Sequence, residues 1–124
     1  MVAHNTMPNQ GWVIYTTSGA TYDGYCLMAN NALRSMAWSG TPDADVVIKD
    51  NHLHTGQAAP SGATGTTIGG DQTSLVAAFA SGDFTPAGAL LSNLKAPIVK
   101  YDRNRVMRGA TCPVGALTLS LIHI

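Results

Sequence analysis

At 124 residues the chain has material for one modest core, so it reads as a single domain. Seven Lys and Arg balance seven Asp and Glu, and this zero net charge speaks against a nucleic-acid partner or an anionic membrane surface. Only 11% of residues are charged, against about 25% in an ordinary soluble domain, while 45% are apolar, which suits a turn-rich β-architecture.

In chain order, a repeat comes first. Val2-Ala3-His4-Asn5-Thr6-Met7, Met28-Ala29-Asn30-Asn31-Ala32-Leu33 and Ile48-Lys49-Asp50-Asn51-His52-Leu53 share one pattern: apolar, any, polar, Asn, any, apolar. Asn31 follows Asn5 by 26 residues, and Asn51 follows Asn31 by 20. Periods of roughly 20–50 residues mark solenoids. Successive strands would then lie about 4.8 Å apart, and equivalent residues would stack. Val2, Met28 and Ile48 are predicted to form one interior column, preceded by inward Cys26 and Val46. Met7, Leu33 and Leu53 are predicted to form a second. Asn5, Asn31 and Asn51 are predicted as a ladder at the bend between strands. Asparagine tolerates left-handed backbone there, and its amide can bond to the repeats above and below. Trp12 and Trp38 match as well, each five residues after the second apolar position. The longer first interval predicts a loop insertion around Thr16 to Tyr25. An antiparallel sandwich, turning at Thr16–Gly19 and Gly40–Asp43, is the competing arrangement; the matched offsets favour stacked repeats.

Residues 1–56 thus read as strand repeats, and residues 57–70, rich in Gly, Ala, Ser, Thr and Pro, as a crossing loop. Residues 71–118 read as a closing segment over the open end of the stack. Within it, Asp71 to Thr73 is expected to cap a short helix over Ser74–Ala80. Residues 119–124, Leu119-Ser120-Leu121-Ile122-His123-Ile124, resemble a translated sequencing-library adapter, with a short terminal strand as the other reading. On the adapter reading the chain is the C-terminal fragment of a longer protein. No run of about 18 apolar residues and no signal-peptide pattern occurs.

The His4-Asn5-Thr6 and Asp50-Asn51-His52-Leu53 stretches resemble the turn-and-strand repeats of right-handed parallel β-helix proteins of the pectate-lyase-like superfamily. The second half is similar to their closing segments. Gly82-Asp83-Phe84-Thr85-Pro86-Ala87-Gly88 resembles an Asp-Phe segment, Asp102-Arg103-Asn104-Arg105-Val106-Met107-Arg108 a D-x-[DN]-G-x-x-R segment, and Pro113-Val114-Gly115-Ala116 a D-I-G-A segment. Arg105 stands in the glycine position, Pro113-Val114 replaces Asp-Ile, and Leu117 replaces an acidic residue. The resemblance implies an all-β fold, a right-handed parallel β-helix (solenoid) with a C-terminal capping segment. It also implies export to the cell surface or beyond, and contact with polysaccharide.

Candidate chemistry is sparse. Asp43 and Asp45, about 6.6 Å apart if extended, could hold calcium or flank a sugar bond as an inverting pair; a plain turn at Thr41-Pro42-Asp43 is the other reading. His52 and His54 alternate with inward Leu53, so both are predicted to face outward, with Arg34 aligned beside His54. Such a patch could bind an acidic sugar or supply a base for lyase chemistry; otherwise it is a solvated strand face. Trp38, Trp12, Tyr15, Tyr22 and Tyr25 offer flat faces to sugar rings, or pack beneath a loop. The carbohydrate-contacting set is therefore Arg34, Trp38, His52 and His54. His4, Asn30 and Asp50 would stack as a polar column of structural role. Cys26 and Cys112 could pair in an oxidising compartment or remain free thiols. No phosphate loop, zinc spacing or nucleophile elbow appears, so no cofactor is expected, calcium in a longer parent aside. The expected function is binding or degradation of polysaccharide. A non-enzymatic structural or adhesive solenoid is the alternative.

Overall fold

A computed structural model describes residues 1–15 and 26–117. The insertion expected around Thr16 to Tyr25, with Tyr22 and Tyr25, the Thr16–Gly19 turn of the competing sandwich and the 119–124 tail lie outside the described residues. The fold is all-β, made of short strands. Strands β1 (Val2–Ala3), β3 (Cys26–Ala29) and β5 (Val46–Lys49) form one parallel sheet in that order. Strands β2 (Thr6–Tyr15), β4 (Ala32–Ser39), β6 (His52–Leu53) and β7 (Thr67–Ile68) form a second.

The register follows the repeat. Val2 pairs with Met28, Met28 with Ile48, Cys26 with Val46, and Met7 with Leu33. One buried cluster, Met28, Leu33, Met36, Ile48 and Leu53, fills the space between the sheets, with Val2, Trp12, Ile14, Cys26, Trp38, Val46 and Ala63 packed against it. Met7 departs from its predicted burial: it is 38% exposed, because it ends its column and no described strand lies beyond it.

Residues 57–70 are not simply a loop. Lys49 bridges Thr64, His52 pairs with Thr67 and Leu53 with Ile68, which makes Ala63-Thr64-Gly65-Thr66-Thr67-Ile68 a fourth repeat, 15 residues on. Its bend explains why sequence reading passed over it. His4, Asn30, Asp50 and Gly65 all adopt left-handed backbone, with φ of 57°, 57°, 56° and 66°. The left-handed position is therefore one residue before the asparagines, not at them. In the fourth repeat glycine fills that position and Thr66 replaces asparagine, so no residue of the motif's polar pair survives.

The two tryptophans are not equivalent. Between Met7 and Gly11, β2 carries two more residues than β4 carries between Leu33 and Ser35. Trp12 therefore opposes Met36, and Trp38 opposes Ile14.

The second half differs most from expectation. Asp71 does accept cap-like bonds, from Thr73 N at 2.9 Å and Ser74 N at 3.0 Å. The turn then leads into strand β8 (Val76–Ala78), not a helix. A single 3-10 turn with Gly82 at φ 77° reverses the chain, and β9 (Asp83–Pro86) pairs antiparallel with β8. A seven-residue helix of about two turns is poorly stable alone, whereas the hairpin buries Val76 and brings the Phe79 and Phe84 rings within 6.0 Å. Helix α1 (Ala89–Ser92) and the antiparallel pair β10 (Leu94–Lys95) and β11 (Cys112–Pro113) follow.

This segment lies along the side of the repeats, where an end cover was expected. Leu75, Leu90 and Val114 pack on Ala32, on the outer face of the second sheet. From Asn93 onward the chain crosses the repeats in reverse order. Asn93 bonds Thr67, Lys95 meets Asp50 at 3.5 Å, Ala96 O accepts from Asn30, and Ile98 N donates to His4. Ala116 N then donates to Thr6 Oγ1 at 2.8 Å.

The Asp102 turn closes despite its missing glycine. Asp102 Oδ1 accepts from Asn104 N and Val106 N, both at 2.8 Å, and Arg105 sits at φ 64°. Left-handed backbone costs a side-chain-bearing residue about 1 kcal/mol or slightly more, and the unfolded-chain entropy of glycine returns part of that. Arg105→Gly is expected to stabilise the chain by about 0.5 kcal/mol, read as a higher urea midpoint. A lower midpoint would mean that the exposed arginine makes a contact worth more than the backbone strain.

Candidate functional site

Strand alternation places Thr6, Ala32, His52 and Thr67 in one outward column of the second sheet. Solvent does not reach its middle, because Leu75, Leu90 and Asn93 cover it. His52 is thus 1% exposed and His54 8%, which corrects the expectation that both face water. Period-two alternation gave the right side of the strand; it carried no information about what lies on that side.

The contacts around His52 define its proton. Asn93 Nδ2 donates to Thr67 Oγ1 at 2.6 Å, leaving the threonine proton for His52 Nδ1 at 2.7 Å. His52 Nε2 then carries the ring proton and donates to Gly69 O at 2.8 Å. Burial holds the His52 pKa below its ordinary value, the nearby His54 adding to the effect and the Gly69 bond opposing it. A neutral ring satisfies every partner, so this is a lock between sheet and tail. A cleft of about 390 Å3 opens beside it, lined by Thr67, Ser92, Asn93 and Lys95 among others.

His54 lies next to this lock. Its amide donates to Arg34 O at 3.1 Å, in keeping with the aligned positions of Arg34 and His54. Its pKa is lowered by burial; Asp71 raises it, Arg34 lowers it, and a bond to the Pro8 backbone raises it. Arg34 itself is exposed. Arg34, His52 and His54 therefore come together on one face, with Asp71 added, but the imidazoles face protein.

Trp38 stands apart, inward on β4. Its ring packs on the core, and its indole N–H donates to Ser61 O at 2.8 Å, beneath the 57–62 loop. Beside it lies a cleft of about 450 Å3, lined also by Asp43, Ala44 and Ile48. Asp43 Oδ1 accepts from Asp45 N at 2.8 Å, so these two residues form a turn. Among the described residues no three His, Cys, Asp or Glu gather as a metal site.

Sequence reading missed Thr67 and Asn93, and gave Asp71 a capping role without placing it beside His54. The usable signal was the fourth repeat, which would have set Thr67 beside His52; nothing in the sequence placed Asn93. Cys26 and Cys112 are both free. Cys112 is buried, and burial raises its thiol pKa, with Arg108 opposing. No described helix is long and apolar enough to cross a membrane.

The buried asparagines are the most continuous polar feature. Asn5 N and Nδ2 both donate to Asn31 Oδ1 at 3.0 Å, and Asn31 N and Nδ2 both donate to Asn51 Oδ1 at 3.0 Å. Asn31 and Asn51 are almost wholly buried. No protein-family model, curated protein or solved structure matches the chain.

Proposed function

We propose that the chain is a stretch of right-handed parallel β-helix serving as the structural scaffold of an exported or surface protein. The observation that carries this reading is the buried asparagine ladder, which spends its polar groups on holding repeats in register. Catalysis makes the opposite demand: a base must reach substrate. Both ring nitrogens of His52 are engaged by the chain itself, and the Asp43 carboxylate closes a turn.

A second reading, contact with polysaccharide, is favoured by the Trp38 cleft, where an aromatic edge, the Asp43 side chain and backbone lie together. One experiment separates the two. The chain is incubated with polygalacturonate, alginate and a neutral glucan, and followed by ultraviolet absorbance of unsaturated product and by mobility in polysaccharide gels. The scaffold reading expects neither turnover nor retardation. Turnover abolished by Arg34→Ala would replace it with a lyase. Retardation relieved by Ala44→Trp, which fills the cleft mouth, would replace it with a carbohydrate-binding role.

A further inference from the structure

The zero net charge hides a separation. Residues 1–94 carry Arg34 and Lys49 against six Asp, a balance of −4. Residues 95–124 carry Lys95, Lys100, Arg103, Arg105 and Arg108 against Asp102, a balance of +4. The fold gathers most of that excess on one hairpin. Tyr101 bridges Met107, Asp102 N donates to Val106 O at 2.9 Å, and Arg108 N donates to Lys100 O at 2.8 Å. Such a ribbon has two faces. Asp102 and Arg108, 7% and 6% exposed, turn inward with half-buried Val106. Tyr101 and Met107, opposite each other, turn outward and are 50% and 55% exposed. Lys100 Nζ lies 5.5 Å from the centre of the Tyr101 ring, and Arg103 and Arg105 stand exposed at the tip.

Two features distinguish this hairpin from an ordinary solvated turn. Its own acid is turned inward: Asp102 Oδ1 accepts from Asn104 N and Val106 N. Among the described residues no carboxylate makes an ion pair with Lys100, Arg103 or Arg105. In addition, apolar side chains stand among the cations: Tyr101, Met107 and, two residues before Tyr101, Val99. Single exposed apolar residues need no explanation; three within one basic hairpin do.

We propose that the hairpin over residues 99–107 is a peripheral contact for an anionic phospholipid surface. Lys100, Arg103 and Arg105 meet the phosphates, while Val99, Tyr101 and Met107 enter the boundary between headgroups and acyl chains. Tyrosine suits that depth, with its ring in the apolar layer and its hydroxyl in the wet one. Binding of this kind scales with buried apolar area plus attraction to anionic lipid, and the hairpin supplies both. A soluble polyanion engages the cations only, and salt screens exposed charges; the apolar triplet therefore favours a lipid surface over it. The backbone bonds and the Arg108 Nη2 bond to Ala116 O hold the hairpin in shape, so little order is lost on contact. The inference rests on the hairpin alone and is independent of the scaffold reading.

The test is flotation of the full chain with vesicles of phosphatidylcholine containing phosphatidylglycerol, and with vesicles of phosphatidylcholine alone. The wild type is expected to float with the anionic vesicles only, and more weakly as salt is raised. Lys100→Gln and Arg103→Gln are each expected to weaken partitioning about fivefold. Tyr101→Ser combined with Met107→Ser keeps every charge and is expected to weaken it at least as much. Tyr101→Trp is expected to add an emission component that shifts to the blue on anionic vesicles. All four side chains are exposed, and circular dichroism with the urea midpoint checks that each variant folds. A wild type that does not float, equal binding to neutral vesicles, a cation or apolar variant that floats like wild type, or Tyr101→Trp emission unmoved by vesicles would overturn the proposal. A chain that ignores vesicles but binds inorganic polyphosphate, whether or not Tyr101 and Met107 are replaced, would put a soluble-polyanion site in its place.

Discussion

Asn31→Ala is expected to destabilise the chain by about 3–5 kcal/mol, far more than Asn5→Ala at about 1 kcal/mol. The residues share a motif position but not an environment. Asn31 is 0% exposed and bonds in both directions. Its Oδ1 receives Asn5 N and Nδ2, and its Nδ2 donates to Val2 O at 3.1 Å and Asn51 Oδ1 at 3.0 Å. Alanine leaves the Asn5 amide and the Val2 carbonyl without these partners and opens a small void. Each unsatisfied buried group costs about 1–3 kcal/mol. A small domain has only about 5–15 kcal/mol in total. Asn5 is partly exposed, so water replaces much of what its removal takes away. Urea unfolding of both variants decides the matter. Asn31→Asp sharpens it: the shape is kept, the donors are lost and a charge is buried, so its cost should equal or exceed that of alanine. Equal costs for Asn5→Ala and Asn31→Ala would sink the idea that ladder position matters.

The repeat was legible because stacking demands that chemically similar residues recur at corresponding positions. Val2, Met28 and Ile48, and likewise the three asparagines, carry that demand openly. Ala63 to Ile68 carries it in disguise. The left-handed bend accepts Gly65 as readily as Asn30 or Asp50, and Thr66 gives up the amide. The side-lying tail was not legible for a different reason. Period-two alternation says which way His52 points, and only tertiary packing says whether Asn93 or water meets it. The β2 irregularity misled the tryptophan alignment in the same way. Counting from Met7 and from Leu33 assumes equal spacing, and two residues around Pro8 broke it. Function was least legible, because most candidate side chains are engaged by the fold itself.

That engagement makes this fold sensitive to acid through its histidines. His4 Nε2 accepts from Ile98 N at 3.0 Å and Val99 N at 3.3 Å, which only an unprotonated nitrogen can do. Burial and the charge of Arg108 lower the His4 pKa to about 4. His52 and His54 are lowered too, each chiefly by burial. In the unfolded chain all three titrate near 6.5. Between that value and the folded one, the unfolded state binds more protons, so stability rises with pH. The contribution is complete above about pH 6.5 and is lost as pH falls toward about 4 for His4, with His52 and His54 losing theirs below the ordinary value. Discounted for solvent screening, His4 alone supplies on the order of 2 kcal/mol. The urea midpoint is therefore expected to fall steeply between about pH 7 and pH 4.5. His4→Asn keeps a residue that tolerates left-handed backbone but removes the titrating ring. It should lower stability at neutral pH and flatten the slope by about one proton. Hydrogen exchange at Ile98 and Val99 should lose protection before the core amides of Leu33 and Leu53 do. If His4→Asn left the slope unchanged, or the 98–99 amides opened together with the core, the tail would be held by contacts other than the His4 acceptor.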